Sequence, residues 1–211
     1  MATLQTRHLL YLGLFALGSL IASGQTVNRA GTKPNPYTLA LTTITFPDEG
    51  TLRQAIYDTA RAQVGIRERT NRNDHPQIAR YNRALGLPER AYYCASGLYW
   101  CHLRAGVKLP IGSPGSVASW FADARKIVYR RSSRGNQRLG PKPALMDGVS
   151  LFASHIEGYA SPRWDPDADA IDCIGFNTGG TNGVGGVYKT RRRMREIKLI
   201  VNQISPYWQT R

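Results

Sequence analysis

The chain has 211 residues, of which 42% are hydrophobic, and a mean hydropathy of -0.36. This length is enough for one sizeable core and too short for two, so we expect a single main domain. The formal net charge of +14 predicts an attraction to polyanions.

Residues 1–24 have the pattern of a secretory signal that is removed on export. The basic residue Arg7 is followed by an apolar run from Leu9 to Ile21 and then by the small residues Ala22-Ser23-Gly24. A membrane anchor is the alternative, but the run is shorter than the ~20 residues that span a bilayer and contains two glycines. We therefore predict a secreted or periplasmic protein, with no membrane span in its mature chain.

Residues 25–50 are rich in Thr, Asn and Pro and show no sustained period, which is typical of a linker or N-terminal arm. The main domain is predicted over residues 51–208, and its first half carries helical patterns. Helices are predicted after caps at Thr51, Asp74 and Ser116, with ends before Gly65, before Gly86 and near Ala124, and a further helix is predicted over Ala95 to Ala105.

From Ile127 onward the apolar residues occur in short runs separated by Gly, Pro, Asn and Asp. These runs predict strands at Ile127 to Tyr129, Val149 to Ala153, His155 to Tyr159, Ala170 to Phe176, Val184 to Tyr188 and Ile197 to Ile204. Helices followed by strands favour an α+β fold in which N-terminal helices pack on an antiparallel sheet.

Three cysteines, Cys94, Cys101 and Cys173, leave at least one thiol unpaired within the chain. Cys94 stands at the start of the third predicted helix, where unpaired backbone N–H groups favour the negative charge of a thiolate. Cys101 lies roughly 10 Å further along that helix, too far for a disulfide with Cys94. A buried apolar role is the alternative for Cys94, because its helical neighbours Leu98 and Cys101 have core character.

A thiol nucleophile needs a base within hydrogen-bond reach. His102 is on the same helix but about 12 Å away along the axis. His75 stands beside a helix start, where an exposed or capping role is more usual. His155 opens a predicted strand that can pack against the Cys94 helix, so elimination favours it as the base.

A third polar residue usually orients the imidazole. Asn177, at the end of a predicted strand, suits this role if that strand pairs with the one that bears His155, although Asn177-Thr178-Gly179-Gly180 is also typical of a turn. Glu157 and Asp172 are weaker alternatives. We predict no cofactor and no metal, because the Cys and His spacings of zinc sites are absent from the sequence.

Four segments occur in an order that resembles a known family. They are Ala60 to Glu68 with Asn71 to Asp74, Tyr93 to Cys101, Ser154 to Gly158, and Asn177-Thr178 with Gly186 to Arg191. From about Leu52 to Trp208 the chain is similar to the CHAP family of cysteine, histidine-dependent amidohydrolases and peptidases. The resemblance implies a papain-like fold with Cys94 as nucleophile, Cys101 as a structural residue, His155 as base and Asn177 as its partner.

Two departures from the family pattern stand out. Gly175 occupies the position, two residues before Asn177, where the family often has Glu, so the orienting role falls to Asn177 alone or is shared with Glu157. The usual Gly-Asp-Val ahead of the histidine strand reads Asp147-Gly148-Val149 here, and the loop to His155 is short.

The resemblance implies a secreted cell-wall hydrolase that cleaves an amide bond in peptidoglycan through an acyl-enzyme. The bond is either the N-acetylmuramoyl-L-alanine amide or one in the stem peptide or cross-bridge. The alternative is a catalytically impaired CHAP-like module that binds peptidoglycan or anionic wall polymers, and Gly175 favours it.

Without residues 1–24, which hold only Arg7 and no acid, the net charge is +13. The basic residues cluster at Arg125, Lys126, Arg130, Arg131, Arg134, Arg138 and Lys142 and again at Arg191, Arg192, Arg193 and Arg195. We expect these stretches to meet anionic wall polymers rather than nucleic acid, because few aromatic residues interleave them; a solvated face is the simpler alternative. The oligomeric state stays open.

Overall fold

The structure is a computed structural model that describes residues 45–132, 135–151, 154–180 and 182–211. The predicted signal at 1–24 and most of the predicted arm at 25–50 lie outside these residues. No helix within the described ranges is long and apolar enough to cross a membrane.

Five α-helices are present in the described residues. Their bounds are α1 Glu49–Arg61, α2 Pro76–Arg83, α3 Cys94–Arg104, α4 Val117–Trp120 and α5 Ile204–Thr210. The fourth is a single turn, shorter than predicted, and the last was not predicted, because a strand was expected to continue to Ile204.

The caps of the first two helices differ from those predicted. Asp48, not Thr51, caps α1, and its carboxylate accepts the Thr51 N–H at 2.7 Å. His75 caps α2 through Nδ1, which accepts the Gln77 N–H at 3.1 Å. Asp74 instead accepts the Arg69 N–H at 2.8 Å and so closes the loop before α2. The acceptor lies three residues before the predicted cap in α1 and one residue after it in α2, and a carboxylate or a ring nitrogen at these positions can cap the helix as well, which explains these shifts.

In the part of the chain that the structure describes, seven strands form one antiparallel sheet in the order β2-β1-β7-β3-β4-β5-β6. Their bounds are β1 Ile127–Ser132, β2 Gly135–Arg138, β3 Gly148–Leu151, β4 Ile156–Tyr159, β5 Ala170–Gly179, β6 Gly185–Arg193 and β7 Ile197–Val201. The predicted α+β class agrees with this arrangement of helices and sheet. Strand β2 was not predicted, because its sequence Gly-Asn-Gln-Arg lacks an apolar run.

Helix α3 packs against strands β4 and β5, and this contact positions its N-terminus over the sheet. A Cβ atom at Gly97 would lie 2.7 Å from Cγ of Phe176, so only glycine allows this close approach. Leu98, Ile156 and Phe176 are fully buried at the interface. This packing therefore fixes the position of Cys94 relative to the strands that carry the other site residues.

Candidate active site

Cys94 is the first residue of α3 and is only 7% exposed. The N-cap residue Tyr93 makes no side-chain capping hydrogen bond. The first N–H groups of a helix have no partner within it, so those around Cys94 are left to act as donors to an anionic group.

His155 lies immediately before β4, and its imidazole is close enough to the side chain of Cys94 for that side chain to raise its pKa. Its Nε2 atom lies 3.2 Å from Oε1 of Glu157. Because Glu157 engages Nε2, the other ring nitrogen, Nδ1, is left for the thiol. The imidazole thus bridges a thiol and a carboxylate, which is the arrangement of a nucleophile, a base and an orienting group.

Glu157 is fully buried, and its carboxylate accepts hydrogen bonds from several donors besides His155. Thr190 Oγ1 donates to Oε2 at 2.7 Å, and Arg192 makes a bidentate contact, with Nε 3.0 Å from Oε2 and Nη2 against Oε1. The same Nη2 donates to Thr178 Oγ1 at 3.0 Å. A fork-shaped guanidinium fixes the plane of a carboxylate, so Glu157 is held rigidly beside the imidazole.

These contacts shift two pKa values in opposite directions. Burial alone would raise the pKa of Glu157, but its hydrogen bonds with His155 and Arg192 outweigh burial and lower it to about 2. Burial alone would lower the pKa of His155, but hydrogen bonds with Cys94 and Glu157, and their negative charge, raise it to about 9. The site therefore favours a protonated imidazole beside an ionised Glu157 at neutral pH.

Gly175 provides the space for the Glu157 carboxylate. The two residues are directly opposite each other in the register of β4 and β5. A Cβ atom at Gly175 would lie 2.9 Å from Cδ of Glu157, so any larger residue would displace the carboxylate. The space beside Gly175 is thus filled by a carboxylate from the facing strand.

Asn177 does not contact His155 through any side-chain hydrogen bond within the described residues. It stands at a bulge in β5, between Phe176 and Thr178, and has a φ of 51°. The extra residue brings Thr178 to the face of Gly175 and Arg192, where an unbroken strand would have placed Asn177. Glu157 therefore takes the orienting position that was predicted for Asn177.

The other candidates from the sequence lie away from this cluster. Asp172 is exposed and pairs with Arg191 at 3.1 Å. His102 is fully buried and its Nδ1 lies 3.0 Å from the Leu98 carbonyl oxygen; burial lowers its pKa to about 4. Neither residue is engaged with the imidazole of His155.

All three cysteines are in the described residues, and all three are free and buried. Cys101 donates its S–H to the Gly97 carbonyl oxygen at 3.3 Å, and burial raises its pKa above the ordinary value. Burial likewise raises the pKa of Cys173. Of the three thiols, Cys94 has a histidine partner.

Sequence reasoning missed Thr178, Thr190 and Arg192. Thr190 and Arg192 are two residues apart on β6 and so share a face, which is a signal that the sequence contains. Arg192 was instead grouped with a basic run. Within the described ranges, no group of three or more His, Cys, Asp or Glu side chains is arranged to hold a metal ion.

Comparisons of the chain with protein-family models, with curated proteins and with solved structures found no match. The functional interpretation therefore depends on the residues of the site and on the motif resemblance.

Proposed function

We propose that this protein is an exported cysteine hydrolase of the CHAP type that cleaves an amide bond in the peptide part of peptidoglycan. One observation carries the proposal: the His155 imidazole lies between the Cys94 thiol and a buried carboxylate. The order of the four motifs supports a papain-like CHAP architecture. The resemblance also supplies the substrate class and the expectation of export.

In the proposed reaction the Cys94 sulfur, with its proton on His155, attacks the carbonyl carbon of the amide. A C–S bond forms, and the carbonyl oxygen takes up the electron pair beside the free N–H groups at the start of α3. When the C–N bond breaks, His155 gives its proton to the leaving amine nitrogen. The product is an acyl thioester on Cys94 and a released amine.

The second half of the reaction returns the enzyme to its starting state. His155 is now neutral and takes a proton from water while the water oxygen attacks the thioester carbon. Collapse of this intermediate breaks the C–S bond and releases the carboxylate product. Glu157 and Arg192 act as positioning residues, because they hold the imidazole through the Nε2 side and do not touch the reacting atoms.

The alternative of a binding module without turnover was favoured by the glycine at position 175. Glu157 fills the space that Gly175 leaves, so the orienting carboxylate is present on the neighbouring strand. Gly175 therefore no longer favours the binding module over the enzyme.

Part of the basic surface is used within the fold. Arg192 is paired with Glu157, Arg191 with Asp172 and Arg125 with Asp123. Exposed charges remain at Arg130, Arg138 and Lys142 in and after β1 and β2. We propose that these residues help to hold the enzyme on anionic wall polymers, as an addition to catalysis.

The test compares wild-type protein with Cys94→Ala and Cys101→Ala on purified peptidoglycan, with release of free amine groups as the readout. The Cys101→Ala control removes a thiol from the same helix away from the site. Amine release is expected from wild type and Cys101→Ala and not from Cys94→Ala. Equal release by all three proteins would refute the proposal, and wall binding by all three without release would support the binding module.

A further inference from the structure

A cavity of about 580 Å³ lies next to the candidate active site. Its wall includes Tyr92, which is two residues before Cys94 and 80% exposed. Two residues of chain span at most ~7 Å, so the cavity begins close to the nucleophile. Its wall also includes Thr178, whose hydroxyl accepts an N–H of Arg192 in the Glu157 network.

The wall of this cavity is built by hydrogen bonds between two loops. Glu68 is buried; its Oε2 accepts the Asn73 N–H at 2.8 Å and its Oε1 accepts the Tyr93 hydroxyl at 3.1 Å. Asn71 Oδ1 accepts the Gly185 N–H at 2.8 Å. A Cβ atom at Gly185 would lie 2.6 Å from Cδ of Glu68, so glycine is needed for the loops to meet. The cavity is therefore a fixed feature of the fold.

The charged groups that face the cavity are Arg72, Arg90 and Glu68. The carboxylate of Glu68 is occupied by the wall itself, as described above. Arg72 and Arg90 are exposed, and within the described residues neither guanidinium has an ion-pair or hydrogen-bond partner. Two free guanidinium groups beside a polar wall match an anion that accepts bidentate hydrogen bonds, and a carboxylate is the anion of this kind that a stem peptide carries.

We propose that Arg72 and Arg90 bind a free carboxylate of the peptide substrate while Cys94 attacks a neighbouring amide. The inference rests on the proposed function and adds a specificity to it: the enzyme prefers stem peptides with free carboxylates to stem peptides whose carboxylates are amidated. Neutral amides lose the charge attraction and one of the acceptor oxygens that the two guanidinium groups need.

The experiment compares two substrates, a disaccharide peptide with free stem carboxylates and the same compound with those carboxylates amidated. Wild type is expected to show a kcat/KM at least about tenfold higher for the acid, which is equivalent to roughly 1.4 kcal/mol. The double variant Arg72→Gln/Arg90→Gln should lose this preference, so that its kcat/KM values for the two substrates become equal within about twofold. The matched control Arg80→Gln/Arg195→Gln removes two exposed charges elsewhere and should keep the preference.

Binding to the Cys94→Ala variant gives a second readout that does not need turnover. Calorimetry should show tighter binding of the acid than of the amide, and the difference should vanish when Arg72→Gln and Arg90→Gln are added.

An active wild type that treats the two substrates alike would overturn the inference and leave the proposed function intact. A preference for the acid in binding, with no amine release by wild type, would refute the proposed function and leave the carboxylate site standing. Equal displacement of the bound acid by inorganic phosphate at the same concentration would also overturn the inference, because it would indicate a general anion site.

Discussion

Two buried arginine–carboxylate pairs stabilise this fold, and they differ in their effect on neighbouring groups. Arg53 on α1 contacts Asp147 at 2.8 Å, and Arg192 on β6 contacts Glu157 in a bidentate pair. Both carboxylate side chains are fully buried. The chemistry of a buried pair is decided by what else touches the carboxylate.

The Arg53–Asp147 pair makes its hydrogen bonds only with residues that join elements of the fold, and we call it the closed pair. Its five N–H donors are used by Glu49, Leu145, Asp147, Asn202 and Ser205, so the guanidinium joins α1 to the segment before β3 and to the start of α5. Burial outweighs the contact with Arg53 and raises the pKa of Asp147 to about 6. In the described residues no histidine or thiol is hydrogen-bonded to this pair, and the charge of Arg53 only adds to burial in lowering the pKa of His102, so we assign the pair to the fold alone.

The Arg192–Glu157 pair also contacts a histidine, and we call it the open pair. Glu157 shares Oε1 between Arg192 and His155, so its charge also acts on the imidazole. Four donor contacts outweigh burial and lower the pKa of Glu157, whereas at Asp147 burial outweighs the contacts and raises the pKa. A buried pair with one oxygen turned to a histidine raises the pKa of that histidine, whereas a buried pair without one stabilises the packing of helices.

The largest effect is expected from Arg53→Met, which removes one partner of the closed pair. Asp147 would be left buried without its cation, and the free energy of unfolding should fall by about 3–5 kcal/mol. Urea unfolding measures this loss. Because the pair serves the fold alone, kcat/KM corrected for the folded fraction should not change. Reduced kcat/KM in fully folded Arg53→Met would contradict the division of roles.

The next largest effect is expected from Glu157→Gln, which removes the carboxylate that joins Arg192 to His155. Loss of the carboxylate removes a positioning contact and a negative charge, so kcat/KM should fall by about 100-fold. The pKa of His155 is raised, so its protonated form is present below about 9 and is lost as the pH rises through that value. Without Glu157 one of the two partners that raise this pKa is lost and only Cys94 remains, so the alkaline limb of the pH–rate profile should move to lower pH. In the control Asp147→Asn the limb should stay in place; an unmoved limb in Glu157→Gln would contradict the assignment.

A smaller effect is expected from Gly175→Ala. The added Cβ atom would crowd the Glu157 carboxylate, and overpacking of about 1–2 kcal/mol corresponds to roughly a tenfold loss of kcat/KM. Gly179→Ala on the same strand meets nothing within 4 Å and is the matched control. The double exchange Glu157→Gly/Gly175→Glu should recover more activity than either single change, because it returns a carboxylate to the same space from the facing strand. Equal activity of Gly175→Ala and Gly179→Ala would show that the carboxylate needs no such space.

The sequence allows the position of Cys94 in the fold to be predicted better than the residue that contacts His155. Cys94 stands at the start of a regular helix whose spacing and closing glycine are local signals, and α3 begins at that residue. The partner of His155 depends on strand register and on a bulge, which are set by the facing strand and not by the local sequence. The basic run on β6 likewise conceals that alternate residues point to opposite faces, so Arg192 resembles a surface charge.

The smallest effect is expected at Asn177, and it separates the bulge from the orienting role. The left-handed φ of 51° suits asparagine and glycine, so Asn177→Gly should keep the bulge, and Asn177→Ala should lower the free energy of unfolding by about 1 kcal/mol. The alkaline limb of the pH–rate profile should stay at about 9 in both variants, because Glu157 and not Asn177 contacts the imidazole. A downward shift of that limb in Asn177→Gly, with unfolding free energy unchanged, would return the orienting role to Asn177. The position of the alkaline limb therefore decides whether Glu157 or Asn177 orients the imidazole of His155.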